Sequence, residues 1–156
     1  YLADSVQLLT APSPTYKGNG GKTLINQETG EMDFRNGKWL GYIKNDMQAI
    51  LYFKQPVTLS SVSFSTIVDI GNYIMPAYQL EVWGGTTTAN LKLLKRMNPK
   101  QPSVQLLPYL TGFNCQFPAT NVNVVKLIAR PVAILPPWHR GSGTPGWVFV
   151  DEVFLN

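Results

Sequence analysis

Apolar and polar residues alternate with a period of two along most of the chain. Ala49, Leu51 and Phe53 share one face of a short run, and Val62, Phe64, Thr66 and Val68 share one face of the next, with Ser61, Ser63 and Ser65 between them. Leu80 and Val82 alternate with Gln79 and Glu81. Val125, Leu127 and Ala129 define another face, and Val148 with Val150 a last one. Successive side chains of a strand point to opposite faces, so this pattern predicts half-buried β-strands. The spacers are turn material: Lys17 to Gly21, Asn36-Gly37, Gly71-Asn72, Gly84-Gly85, Asn98-Pro99 and Gly141 to Gly146.

Helix signals are weak. Leu91 to Met97 has room for a turn or two of helix, but Leu93 and Leu94 also suit a strand. Eight or so strands without helices predict an all-β fold, an antiparallel β-sandwich of jelly-roll type. With 156 residues the chain reads as one domain, residues 1–156, long enough for a real core. The polar stretch Asn98 to Ser103 reads as a long connection within it, because neither half has enough strands to stand alone. The chain opens at Tyr1-Leu2-Ala3-Asp4 without an initiator Met and reads as a piece processed or excised from something longer.

Composition agrees with this picture. Charged residues are 14% and aromatics 12%, and 13 Gly and 12 Pro are spread along the chain. Disordered chains carry more charge and fewer aromatics. The net charge is +4, but the basic residues are dispersed, with no run beyond Lys95-Arg96, so nothing singles out nucleic acid as partner. No segment approaches the roughly 18 apolar residues of a membrane span. The lone Cys115 excludes an internal disulfide. It alternates in phase with Phe113 and Phe117, which marks it as a small buried hydrophobe.

Candidate chemistry concentrates near the C-terminus. Trp138, the only histidine, His139, and Arg140 sit together in a Pro/Gly-rich loop, followed by a β-rich run from Trp147 to Leu155. Loops on rigid scaffolds commonly carry function. An indole stacks on the apolar C–H face of a sugar, and an arginine forks to vicinal hydroxyls or a carboxylate. The alternative is that Trp138 folds onto the rim while His139 caps the loop through a backbone carbonyl. Trp39, directly before Leu40-Gly41-Tyr42, reads as a core anchor. Asp33, Asp46, Asp69, Asp151 and Glu152 show no spacing that specifies a glycosidase pair. Asn19 to Thr23 lacks the full spacing of a phosphate loop and any following helix.

Several stretches carry a family resemblance. Pro12 to Phe53 contains GGKTLINQETGEMDFRNGKWLGY followed by NDMQAILYF. Tyr73-Ile74-Met75-Pro76, Glu81-Val82-Trp83-Gly84-Gly85 and the terminal block LPPWH…Trp147-x-Phe149-x-Asp151-Glu152 extend the match. The chain resembles a discoidin-like domain, the coagulation-factor type C fold that includes family 32 carbohydrate-binding modules. More narrowly, it resembles the version appended to glycosidases and other secreted proteins of Bacteroidetes. The resemblance covers nearly the whole chain, with specific motifs at both ends and generic β-pattern between. It departs from the family at Asn26-Gln27, where Asp-Gly is usual, and at Glu31, where a small hydroxyl residue is common.

What the resemblance implies is a galactose-binding-domain-like sandwich and a non-catalytic carbohydrate-binding module that targets an appended enzyme to glycans. Its location would be extracellular, periplasmic or at the cell surface, and its other partners the remaining domains of a parent protein. It implies ligand contacts by Trp138, His139, Arg140, Tyr42, Tyr73, Lys44 and Asp69. It also implies a structural calcium held by Glu152 with Leu24, Asn26, Gly30 and Glu31; Asn26 brings an oxygen but no charge, and Glu31 could restore one. Domains of this fold also bind proteins and lipids, so a protein- or cell-surface-interaction domain is the rival reading. A stand-alone hydrolase lacks a nucleophile, triad or acid pair in the sequence.

Overall fold

The alternating runs form seven strands in the computed structural model, which describes residues 1–156: β1 (Ser5–Leu8), β2 (Leu40–Ile43), β3 (Met47–Val68), β4 (Gln79–Gly85), β5 (Lys92–Met97), β6 (Tyr109–Arg130) and β7 (Trp147–Leu155). Helix is confined to three short 3-10 turns, at Pro14–Tyr16, Gly20–Leu24 and Ile70–Asn72. The ambiguous Leu91 to Met97 stretch is a strand. The count falls to seven because the runs around Leu51 and Phe64 belong to one 22-residue strand, β3, and those around Cys115 and Leu127 to another, β6.

β3 and β6 pair antiparallel along their whole length and bend together. The register breaks between Tyr52 and Val57 and again between Leu59 and Ser61. Each break contains a proline, Pro56 on β3 and Pro118 on β6, which cannot donate to the ladder. Bulges of this kind bend a ribbon and raise its twist. On one side of the bend β3 and β6 lie between β1 and the β4–β5 pair; on the other, β7 and β2 extend from β3. The two limbs form the two layers of an antiparallel β-sandwich.

The core lies between the layers and takes side chains from both, including Leu51, Phe64, Val82, Leu127 and Val150. Cys115 belongs to it, and burial pushes its thiol up to about 11, far from a reactive nucleophile. A second, aromatic cluster covers the other face of the β7 layer: Phe34, Trp39, Ile67, Ile74 and Phe149, with Tyr16 and Trp147 against them. Trp39, 1% exposed, anchors it and donates its indole N–H to the carbonyl of Glu31 at 3.1 Å. The indole lies so close to Gly30 that a Cβ there would come within 2.3 Å of it.

Because the ribbon folds back on itself, Met47 and Val68 of β3 end on the same side. The β2–β3 turn, the 69–78 connection, the 98–108 connection and the 131–146 loop therefore gather at one end. Gln101 ties the third to the second, its side-chain amide donating to the carbonyls of Pro76 and Ala77, each at 3.1 Å.

Candidate functional site

The 131–146 loop is held rigid by its own backbone. Leu135 N–H donates to Thr144 at 2.7 Å, Gly143 N–H back to Leu135 at 3.2 Å, and Gly146 N–H to Val132 at 3.1 Å. His139 fastens this loop to the 70–72 turn. Its Nδ1 accepts from the Gly141 N–H at 2.8 Å, so the proton sits on Nε2, which donates to the Ile70 carbonyl at 2.7 Å. Both ring nitrogens serve the backbone and the ring is 4% exposed, which corrects the expectation that His139 contacts ligand: it positions the loop.

The neighbours of His139 are more open. Trp138 is 37% exposed, with its ring 5.8 Å from the imidazole. Arg140 reaches over Tyr73, its guanidinium carbon 5.4 Å from the ring centroid, and donates to the Gly71 carbonyl at 2.5 Å. Tyr73 adopts a left-handed backbone (φ 68°), and its ring stands edge-on to His139 at 4.9 Å. Gly141 lies flat against the same ring, where a Cβ would come within 2.6 Å. Tyr73 is thus a half-buried support for Arg140 and not an open platform.

Two further expected contacts are placed elsewhere. Tyr42 is fully buried (0% exposed) in the main core, because its position on β2 opposite Val148 turns it inward. Its hydroxyl donates to the Thr10 carbonyl at 2.8 Å, and burial raises its pKa to about 12. Asp69 is buried and accepts from the Asn72 side-chain amide at 3.0 Å, while its backbone pairs with Ile74, so it closes the 69–74 turn. Lys44 is exposed on the β2–β3 turn in a left-handed conformation (φ 70°).

Lys44 lines a cleft of about 560 Å³ beside the start of the 131–146 loop. Asp46, Tyr78, Arg130, Val132 and Ile134 also line it. Tyr78 is 60% exposed, a large free ring face beside polar groups. Arg130 is fixed by three partners: Asp46 at 3.4 Å, Glu81 at 3.2 Å and the Gln79 side chain at 3.0 Å. Glu81 is buried and also accepts from Arg96 at 2.7 Å and the Trp83 indole at 3.1 Å. Burial pushes its carboxyl up, but these bonds outweigh burial and leave it below the ordinary value. Sequence reading passed over Tyr78. By alternation it shares the phase of Leu80 and Val82 and reads as core, yet it stands just before β4, past the edge of the packed layers.

The expected calcium residues separate into two groups. Glu152 accepts from the Gln27 N–H at 2.7 Å, and its neighbour Asp151 accepts from the Gly30 N–H through Oδ2. The register of β3 and β7 skips Asp151, so this bulge turns both carboxylates toward the 24–30 segment. Both are buried, no basic side chain pairs with either, and Asp151 Oδ1 has no hydrogen-bond partner. Burial raises Asp151 to about 6. Burial, with the Asp151 charge behind it, raises Glu152 to about 7 against the hydrogen bond from Gln27. Leu24 ends a 3-10 turn with its side chain in the core. The other two side chains are engaged with local partners, which corrects the expectation that they serve as ligands. Asn26 accepts from the Glu28 N–H in a local turn, and the exposed Glu31 carboxylate lies 3.9 Å from Lys38. Asp151 was not among the expected calcium residues, since a bulge cannot be seen in alternation alone.

No protein-family model matches the sequence, and no curated protein matches it. Solved structures do match. A family 32 carbohydrate-binding module of Clostridium perfringens (CpGH89CBM32-5), in complex with GalNAc-β-1,3-galactose, is 12% identical with a TM-score of 0.58; the match covers 97% of this chain and 93% of that one. The corresponding module of AlyQ, in complex with 4,5-unsaturated mannuronic acid, is 13% identical with a TM-score of 0.57, covering 100% and 96%. Truncated AlyQ, with its CBM32 and alginate lyase domains, matches at a TM-score of 0.58 and 13% identity over 99% of this chain, which spans 32% of that one. The chain has the β-sandwich fold of these modules.

Proposed function

We propose that the chain is a non-catalytic carbohydrate-binding module that binds glycans at its loop end and holds an attached enzyme on them. The observation that carries this reading is the cleft beside Tyr78, lined by an exposed tyrosine ring, the apolar Val132 and Ile134, and the Asp46–Arg130 ion pair. Sugar rings call for that combination, with C–H faces against an aromatic and hydroxyls toward fixed polar groups. Trp138 and Arg140, later in the 131–146 loop, would extend the surface to a second sugar unit. Asp46 is the one carboxylate in the cleft and is paired with Arg130, which leaves no partner for acid–base chemistry there. The solved neighbours bound to sugars support the reading, and attachment to an enzyme and an extracellular, periplasmic or cell-surface location follow from it. No helix is long and apolar enough to cross a membrane.

The carboxylate pair on β7 supports a structural cation in the same reading. Glu152 and Asp151 Oδ1, with main-chain carbonyls between Leu24 and Gly30, would hold it; hard oxygen donors suit calcium. When bound, the ion would neutralise two adjacent buried carboxylates. The residues themselves already clasp the 24–30 segment to the last strand through the Gln27 and Gly30 N–H groups.

A protein-interaction domain is the second reading. It draws on the exposed Val104, Leu106, Leu107 and Leu110 in and beside the 98–108 connection, an apolar surface that a sugar would not use. Screening residues 1–156 on a glycan array separates the two: the leading reading expects a defined set of glycans to bind, and an empty array favours the rival.

A further inference from the structure

The cleft beside Tyr78 holds a positive charge that nothing in the molecule compensates. Of its three charged side chains, Asp46 and Arg130 are paired with each other at 3.4 Å. The second carboxylate on Arg130, Glu81, is shared with Arg96. Lys44 has no acidic partner within 4.0 Å and no hydrogen bond from its ammonium. Its position on the turn is also unusual. A non-glycine residue at φ 70° carries strain that a Gly or Asn would relieve, yet Lys occupies it. The next residue, Asn45, fixes the turn by donating to the Ala11 carbonyl at 3.1 Å.

We propose that the cleft selects a sugar residue bearing an anionic group, a carboxylate or a sulfate ester, with the Lys44 ammonium as its receptor. This rests on the glycan-binding reading above. The ring of that sugar packs its C–H face between Tyr78 and Ile134. Arg130 is not the receptor, because its charge is already met by Asp46 and Glu81, and Gln79 accepts from the same guanidinium. Lys44 has three free donors on a flexible stem and accepts a single anionic oxygen without a fixed fork. Asp46 beside it repels an anion placed too deep, which confines the acidic group to the Lys44 side.

Calorimetry on residues 1–156 tests this with three probes: oligogalacturonate, dextran sulfate and a neutral galactan. The proposal expects one of the two anionic probes, or both, to bind. Lys44→Gln should weaken that binding about tenfold, the order of a charged hydrogen bond. Lys44→Arg should restore most of it, and Lys54→Gln, an exposed lysine at the opposite bend, should leave it unchanged. The anionic probe that binds identifies carboxylate or sulfate. Equal losses in Lys44→Gln and Lys54→Gln, or none in Lys44→Gln, overturn the proposal. Tight binding of the galactan alone, abolished by Tyr78→Ala, overturns the anionic selection and leaves the glycan reading standing. Failure to bind any glycan, on these probes and on an array, removes both.

Discussion

His139 Nε2 lies 2.7 Å from the carbonyl oxygen of Ile70, and this buried bond joins the 131–146 loop to the 70–72 turn. The imidazole takes a second bond from Gly141, so it staples the loop carrying Trp138 and Arg140 to the turn carrying Tyr73. His139→Ala leaves the buried Gly141 N–H without a partner, while the Ile70 carbonyl keeps its bond from the Tyr73 N–H at 3.0 Å. One such orphan costs about 1–3 kcal/mol, and a loss of that order is expected. Amide exchange should rise first in residues 135–146. Urea unfolding with hydrogen exchange checks both; unchanged protection of the loop would contradict the stapling role.

The two tryptophans at either end of the sequence should separate cleanly. Trp39 fills the aromatic cluster, and Trp39→Ala should lose about 3–5 kcal/mol. Trp138 is partly exposed, and Trp138→Ala should lose less than about 1.5 kcal/mol. Thermal melts of the two variants side by side decide this; a Trp138→Ala protein that melts as early as Trp39→Ala makes that residue structural.

Glu81 should set part of the acid limit. Its carboxyl lies below the ordinary value, so its stabilising contribution is present above about pH 4.3, the unfolded reference, and is lost as pH falls through the folded value. Glu81→Gln leaves Arg96 and Arg130 short of a partner. The variant should be less stable at pH 7 and lose less further stability between about pH 4.5 and pH 2.5. Parallel melting curves for variant and wild type across that range would show that Glu81 does not couple to acid unfolding.

The β7 carboxylates make a metal prediction. Adding calcium to chelated protein should raise the melting temperature progressively with calcium concentration, since an ion that binds only the folded state stabilises it by mass action. Asp151→Asn and Glu152→Gln should each abolish the rise, and Glu31→Gln should keep it. A rise that survives Glu152→Gln would move the ion elsewhere.

Much of the fold was legible from alternation, because one face of nearly every strand is buried. The buried Cys115 was readable for the same reason, and the Trp39 anchor from its place directly before Leu40-Gly41-Tyr42. The bend was not, since Pro56 and Pro118 interrupt pairing without ending the strands. The site was read less well. Trp138 and Arg140 stood out from their clustering in a Pro/Gly-rich loop, and both are at least partly exposed there. Tyr42 was misplaced because a tyrosine at a strand's end can turn either way, and the packing opposite Val148 turns it inward. Tyr78, Arg130 and Asp46 are distant in sequence, and only the pairing of β6 with β3 and β4 brings them together.

The central claim is that the loop end binds sugar through Tyr78. Its most direct test is the affinity of wild type and Tyr78→Ala for the strongest ligand on a glycan array. The exposed ring contributes little to the core, so the variant should melt within a few degrees of wild type, about 1 kcal/mol or less. Its affinity should fall at least about tenfold, or 1.4 kcal/mol. Equal affinities in two equally stable proteins would contradict the account and place any sugar site away from this cleft.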